Sequence, residues 1–586
     1  LKPAQALQLD QAFFTVPPST MKRTKSETSK RVQWEDGGDT SCPPRKFDET
    51  TPLFGDSVAK AVAVTSPTFN DLLEQFGHRL LIMLFASQHL MKGFSATFLG
   101  PCAQFLFKEY QVSGPQMQVF GGVVALPWAM KPVVGLISDA LPIFGYHKAP
   151  YIIIASIAGG IACATIGTVS MAHLSVEHLV GCLFLLQLQF STCDLLTEAK
   201  YAEKMQAKPQ HGPALMTFVW FGLHFGSLVA TAFVGPVMQH FGTRLPYLIA
   251  LIPVTFIIIP VMKNYMEETP KTGEEMVAAR RKLAEQGEAC FLCILMFVST
   301  VILTVLGIVF ESAKINAIAA TTVALVMLVA FSVLLRPVIA KVNAFFLIQT
   351  SFGISISGAS FYFFTDSPKQ YPAGPHFSME FFTSVLGVVG SICSLIGIYT
   401  YQRCASKWTY RSLLFTANVV LCVLSVADII IFTRLNVFLG LPDHAFVLGA
   451  SVFTSVIAQW MWMPGVVILS QLCPPGMEAT MYALLAGCHN LGNTVAASSG
   501  ALVLELLGCQ PRGADNEGDQ FQYLWVGSVM SIVLPMLTLV LLPILIPDAR
   551  QTDKLLDASN EDATAGSLWK RWRGVGGSEI EAPEDR

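Results

Sequence analysis

Residues 93–98 read Gly-Phe-Ser-Ala-Thr-Phe, and residues 358–363 read Gly-Ala-Ser-Phe-Tyr-Phe. The second stretch lies 265 positions after the first, and two further pairs fall at the same offset. Gly122-Val-Val124 returns as Gly387-Val-Val389, and Met216 with Gly222-Leu-His224 returns as Met481 with Gly487-Cys-His489. One such match in a glycine-rich apolar chain carries no weight. Three in one register imply a duplicated unit.

The duplicated unit is built of apolar runs about twenty residues long, enough to cross roughly 30 Å of hydrocarbon at 1.5 Å per residue. In the first half they lie near 80–106, 115–137, 150–171, 178–204, 213–237, 245–262 and 288–310. In the second they lie near 316–336, 341–364, 378–400, 411–433, 444–471, 478–507 and 521–547. The offset pairs the first run with 341–364 and the fifth with 478–507. Each repeat therefore holds six helices, a bundle at 76–262 and another at 338–547. The runs within 288–337 are left over as an inserted pair. The fold class is an all-α polytopic membrane protein of about fourteen spans. Two parallel six-helix repeats around a central path are a transporter arrangement, with the binding site near mid-membrane between them.

Composition agrees. Charged residues make up 13% of the 586 and mean hydropathy is +0.52, against roughly 25% charged residues in soluble domains. A secreted disulfide scaffold, a cytosolic enzyme and a nucleic-acid binder are excluded. Most of the thirteen cysteines sit singly in apolar runs, and Cys290-x-x-Cys293 has no second pair, so buried small hydrophobes are the reading, with no metal site and no cofactor. Residues 1–75 carry Glu35, Asp36, Asp39, Asp48 and Glu49 without an apolar core and read as a disordered cytosolic tail. Residues 548–586 read as a second cytosolic tail. With the N-terminus in the cytoplasm, the inward loops and tails hold 29 Lys and Arg and the outward loops 6. The positive-inside rule thus places both termini in the cytoplasm. Within the central loop 263–287, Thr272-Gly-Glu-Glu275 predicts a capping box before a short surface helix, Met276–Ala284.

Ionisable groups inside spans are costly and face a cavity or a partner. Gln187, Ser191, Asp194 and Glu198 follow at i, i+4, i+7 and i+11, one continuous polar face. Asp194 lies ten residues before Lys204, roughly 15 Å from that membrane boundary. Lys131 lies eight residues before Asp139, roughly 12 Å from the same boundary. The two are at similar depth and can pair, either as a static lock between helices or as a pair for which a substrate anion or a proton competes. Gln88, Lys92 and Ser95 share a face of the first helix, and Lys92 suits an anionic substrate, a partner on a neighbouring helix, or snorkelling toward the outer boundary. His224 and His489 are repeat-related and mid-span, fit for a hydrogen bond between helices or for transport. Tyr482, His489 and Asn493 share one face, and Gln349, Gln459, Trp460 and Trp462 offer amide and aromatic contacts to a flat ligand.

The run Pro127-Trp128-Ala-Met-Lys131-Pro132-Val-Val-Gly135-Leu-Ile-Ser138-Asp139-Ala-Leu-Pro142-Ile-Phe-Gly145-Tyr146-His147-Lys148-Ala-Pro150-Tyr151 closely resembles the signature of the folate–biopterin transporter family, of the major facilitator superfamily. Phe361-Tyr-Phe-Phe-Thr365 and Asp194-Leu-Leu-Thr-Glu198-Ala also resemble it, and the likeness covers roughly 76–547. Relative to the superfamily loop motif, the chain has Gly135, Asp139, Gly145 and Lys148 as gating residues, with a longer Asp-to-Gly spacing and His147 in place of a common basic residue. Asp139 at a helix end can accept hydrogen bonds from a facing helix N-terminus; its matched position, Cys404, cannot. The resemblance implies a major-facilitator fold and proton-coupled uptake of folate, biopterin or related pteridines. For such a substrate Lys92 and Lys131 are the expected partners of the carboxylates, Trp128 or the aromatic second-half residues of the pterin ring, and Asp194 and Glu198 of pterin N–H groups or the coupling proton. The competing readings are the same fold carrying another metabolite, such as S-adenosylmethionine, and a non-transporting receptor. No enzyme motif is present in the spans. With no organelle address visible, the plasma membrane is the expected location.

Overall fold

In a computed structural model, residues 69–277, 281, 287–473, 478–551, 553, 555–556 and 563–573 are described. Residues 1–68 of the expected N-terminal tail, and most of the predicted surface helix after Thr272, lie outside them; residues 69–75, expected in the tail, are helical. The first helix, α1, is a run of pieces: Phe69–Leu84, Phe85–Ala96, Thr97–Leu99 and Cys102–Glu109. It starts earlier than apolarity alone suggests and breaks at Gly77, whose φ of 78° suits a residue without a side chain. There follow α2 (Gly114–Ala140), α3 (Ala149–Thr168), α4 (Val176–Ala207), α5 (Gly212–Phe241) and α6 (Leu245–Met262). Where the sequence leads one to expect an inserted pair stand α7 (Gly287–Val309) and α8 (Ala313–Leu334). The second bundle holds α9 (Pro337–Phe352 and Ser357–Thr365), α10 (Glu380–Ala405), α11 (Tyr410–Phe432), α12 (Asp443–Gln471), α13 (Glu478–Leu506) and α14 (Gly518–Leu545).

Helix starts follow local chemistry. Ser113, Ser175 and Thr409 cap α2, α4 and α11 through their hydroxyls. Proline occupies the first turn of α2, α3, α5, α6 and α9, where a missing N–H costs nothing. The expected capping box forms: Thr272 N donates to Glu275 Oε2 (2.9 Å) and Glu275 N to Thr272 Oγ1 (3.4 Å).

Among the described residues, eleven helices are long and apolar enough to cross a membrane, or twelve if the two pieces of α9, bent by 41°, form one span. This is fewer than the fourteen expected, because α1 and α13 are not among them: both are long but interrupted by polar residues. Gln88, His89 and Lys92 interrupt α1, and His489, Asn490 and Asn493 interrupt α13. The polarity that lowers their apolar score belongs to helices packed inside the protein.

We call the end where Phe69 lies proximal, and the end where α1 turns into α2 distal. The two bundles meet along two seams, α2 against α13 and α5 against α10. The 265-residue offset relates these seams to each other. A Cβ at Gly122 would touch Thr494, and one at the matched Gly387 would overlap Thr231. The repeated glycines thus mark where helices of opposite bundles come closest. The inserted pair bridges one seam, with α7 on α2 and α8 on α13 and α9.

The distal end is closely knitted. Between its two pieces α9 unwinds over 353–356, and polar backbone at membrane depth must be satisfied by protein. Ser355 N donates to Ala496 O (3.0 Å), and Gln118 Nε2 of α2 donates to Ser355 O (2.8 Å) and Ala497 O (2.8 Å). Gln118 Oε1 accepts from Gly358 N (3.2 Å). One amide thereby ties the first bundle to two helices of the second. Gly358 packs on the Gly114 backbone so closely that a Cβ there would overlap the Gly114 carbonyl. Gly358→Ala is therefore expected to force the seam apart, at a cost of about 1–3 kcal/mol or more. A lower melting temperature in detergent checks this, and an unchanged one contradicts it.

Candidate functional site

The site is built where α1, α2 and α4 meet. Residues 85–96 of α1 are wound as a π-helix, a geometry often found at functional sites. The neighbouring α5 explains how α1 sits. A Cβ at Gly93 would strike the Leu223 carbonyl, and one at Gly226 the His89 carbonyl. The His89 ring fills the space that Gly222 leaves open and bonds Phe218 O through Nε2 (3.0 Å). Backbone on backbone, α1 and α5 direct Gln88 and Lys92 toward α4. In α2, Pro127 and Pro132 flank Lys131, and the chain passes from Gly114–Ala129 to Lys131–Ala140 at Met130.

Asp194 is 0% exposed and each of its oxygens holds a lysine: Lys92 Nζ lies 2.8 Å from Oδ1 and Lys131 Nζ 2.6 Å from Oδ2. Lys131 and Asp194, expected at similar depth, are paired, and Lys92 joins them. Gln88 Nε2 donates to Asp194 Oδ1 (3.3 Å) and to Thr197 Oγ1 (3.0 Å). Glu198, 14% exposed, stands 3.6 Å from Lys92 and 3.9 Å from Lys131. Two cations and two anions balance, as burial demands. They are not equivalent. Asp194 is clamped at hydrogen-bond distance from both sides, whereas Glu198 is farther from both lysines and slightly more exposed.

Trp128 completes the cluster. Its Nε1 donates to Gln187 Oε1 (2.8 Å), two turns before Asp194 on the polar face of α4, and Lys131 Nζ sits 4.7 Å from its ring centroid, a cation–π distance. Six of the sequence-derived residues, Gln88, Lys92, Trp128, Lys131, Asp194 and Glu198, are therefore in one constellation. The two histidines have their contacts elsewhere. His489 Nδ1 is 3.1 Å from Thr350 Oγ1 with its ring edge-on to Trp462 at 5.7 Å, and His224 lies 5.8 Å from the Trp220 ring.

The loop residues form a separate proximal group. Phe144 and Gly145 both have positive φ, 53° and 83°, in the tight turn that pairs Ile143 with Tyr146, and Gly145 is the residue suited to it. Gly135 faces Leu195 of α4. Asp139 is exposed. The N-terminus of α3 is instead held by Glu268, which accepts from His147 N (2.7 Å), Lys148 N (3.0 Å) and Ala149 N (3.1 Å). Lys148 Nζ lies 3.9 Å from Glu203. Glu268, over a hundred residues from its partners, has no signature in the sequence. Thr197, three residues past Asp194 on the same helix face, is marked by that spacing.

The BT1 family matches residues 92–565, four-fifths of the chain. The chain belongs to the BT1 family. This is the folate–biopterin transporter family that residues 127–151 resemble. Among similar proteins is "Probable folate-biopterin transporter 6" of Arabidopsis thaliana, 24% identical over 467 residues, 79% of this chain and 82% of the relative. The "Folate-biopterin transporter" of Synechocystis sp. is 26% identical over 467 residues, 78% of this chain and 80% of the relative. "Folate transporter 2" of Plasmodium falciparum is 22% identical over 416 residues, 70% and 78% of the two chains. Solved structures carry the fold. A D-xylose-proton symporter aligns at TM-score 0.53 with 12% identity over 81% of this chain and 99% of its own. A POT family transporter in complex with 5-aminolevulinic acid aligns at 0.57 with 13% identity over 80% and 98%. This BT1 member is thus a multi-pass membrane protein of major-facilitator-like fold.

Proposed function

We propose that this BT1 protein is a secondary active transporter of folate- or biopterin-type pteridines, driven by protons and working by alternating access. The observation that carries the reading is Asp194, fully buried at mid-span and shared between Lys92 and Lys131 of two other helices. An ammonium has three donors, and Asp194 takes one from each lysine. The remaining donors suit the carboxylates of a folate glutamate tail, and Trp128 offers a face for a flat ring. Glu198 is the carboxylate placed to exchange a proton. Protonating it removes its pull on both lysines and leaves them to an incoming anion, so proton and substrate enter the same four-charge site together. Relatives named as folate–biopterin transporters support the substrate class, and solved transporters of this fold support the transport role.

The positive-inside count supports a cytoplasmic proximal end and both termini in the cytoplasm, and the plasma membrane is the proposed location. The distal seam then closes the outside. Labelled folate flux into proteoliposomes, with and without an inward proton gradient, tests the reading. Uptake stimulated by the gradient and blocked by unlabelled biopterin is the expected result. Flux of S-adenosylmethionine without folate flux would move the substrate to another class. Ligand binding without flux would favour a receptor.

A further inference from the structure

The C-terminal stretch Leu568-Trp-Lys-Arg-Trp-Arg573 plays no part in the site above. It is a one-turn helix, Leu568–Trp572, started by Ser567, whose Oγ accepts from Lys570 N (3.2 Å). Its base is fixed. Arg336 N, between α8 and α9, donates to Ala563 O (3.0 Å), and Ala563, Thr564 and Ser567 are buried. The helix packs against α8. That helix is at the rim of the molecule, where Ile318, Leu325 and Val329 are 57%, 57% and 61% exposed along its length, an apolar surface of the kind that a spanning helix turns to lipid. The one-turn helix therefore stands where the lipid-facing wall meets the proximal membrane boundary.

Its own surface is of a particular kind. Leu568 (55% exposed) and Trp572 (79%) lie four residues apart on one face. Trp569 and Trp572 have ring centroids 5.4 Å apart, and Arg573 sits 4.3 Å over the Trp569 ring. Arg571 and Arg573 are exposed and Lys570 is half-buried, so three basic residues lie within the same short segment as the two rings. Tryptophan is favoured at the level of lipid headgroups, and clustered Lys and Arg beside a span attract anionic lipids. We propose that residues 568–573 are a docking site for anionic phospholipid headgroups of the proximal leaflet, holding the C-terminal segment against α8. The proposal rests on the membrane fold alone and stands or falls apart from the transport reading.

The test uses the full chain in nanodiscs of zwitterionic lipid doped with either brominated phosphatidylglycerol or brominated phosphatidylcholine. Tryptophan quenching is read for the wild type and for Lys570→Gln/Arg571→Gln/Arg573→Gln. The wild type is expected to be quenched more by the anionic lipid, by about twofold or more, and the triple variant to lose the excess. Trp569→Phe/Trp572→Phe is expected to lose it as well, which assigns the signal to this helix. Arg571→Gln/Arg573→Gln changes exposed residues only and serves if the triple variant does not fold. An equal anionic-to-zwitterionic ratio in the wild type and the charge variants overturns the proposal, as does an excess that survives loss of both tryptophans.

Discussion

Glu198→Gln is expected to separate substrate movement from the proton gradient. The amide keeps the size of the side chain and cannot take up a proton. Lys92 and Lys131 stay bound to Asp194, at 2.8 and 2.6 Å, so the fold of the site survives. Exchange of labelled for unlabelled folate across the vesicle membrane then persists, while accumulation driven by the gradient is lost. Asp194→Asn is expected to act more severely. It leaves two buried ammonium groups without their shared carboxylate, and breaking a buried ion pair on one side costs about 3–5 kcal/mol. Both exchange and accumulation fall by about a hundredfold or more, since each 1.4 kcal/mol is a factor of ten. The melting temperature falls with them. Glu198→Gln that still accumulates folate against a gradient removes the coupling role, and Lys131→Ala with unchanged uptake and unchanged coupling removes the shared-lysine account.

The second large effect is expected at the distal seam. Lys108 of α1 lies 2.7 Å from Asp366, which is 0% exposed and directly follows α9. The same ammonium donates to Thr365 O (2.9 Å) and Thr365 Oγ1 (3.1 Å). The loop after α13 lies over this clasp, with Pro511 O accepting from Gly114 N (2.8 Å) and Asn516 N donating to Lys369 O (3.0 Å). A transporter that opens distally must break the Lys108–Asp366 pair. Lys108→Asp puts two carboxylates together and is expected to favour the opened seam by about 3 kcal/mol. The distance between spin labels at the exposed Gln111 and Asp515 should then lengthen, and uptake should fall. Adding Asp366→Lys restores opposite charges and should bring both back toward wild type. An unchanged label distance in Lys108→Asp shows that the pair does not hold the seam.

The contrast between these two sites shows what a single sequence discloses. The mid-span cluster was legible because its members are ionisable residues inside apolar runs, and helix rise converts their positions into depth. Lys131 and Asp194 could be matched in this way with no alignment. The all-helical membrane fold was legible for a similar reason, since long apolar runs are a property of the chain itself. The distal clasp was not. Lys108 reads as an ordinary cation at a helix end and Asp366 as a loop acid, and 258 residues separate them. Glu268 on the α3 N-terminus and Gln118 on the unwound part of α9 are hidden in the same way, because polar groups are paired by tertiary contact rather than by spacing. The 41° bend in α9 also escaped the reading of 341–364 as one run. Residues 353–356 are apolar enough to continue a helix, and the backbone groups they leave open are satisfied by α2 and α13.

Substrate and proton meeting in one four-charge site is the central claim, and the direct measurement is proton movement evoked by folate. Proteoliposomes holding a pH indicator, with equal pH on both sides, receive unlabelled folate from outside. The account predicts acidification of the lumen on addition of folate by the wild type, and none by Glu198→Gln in vesicles that still exchange labelled folate. Folate entry by the wild type without any change in lumenal pH contradicts it.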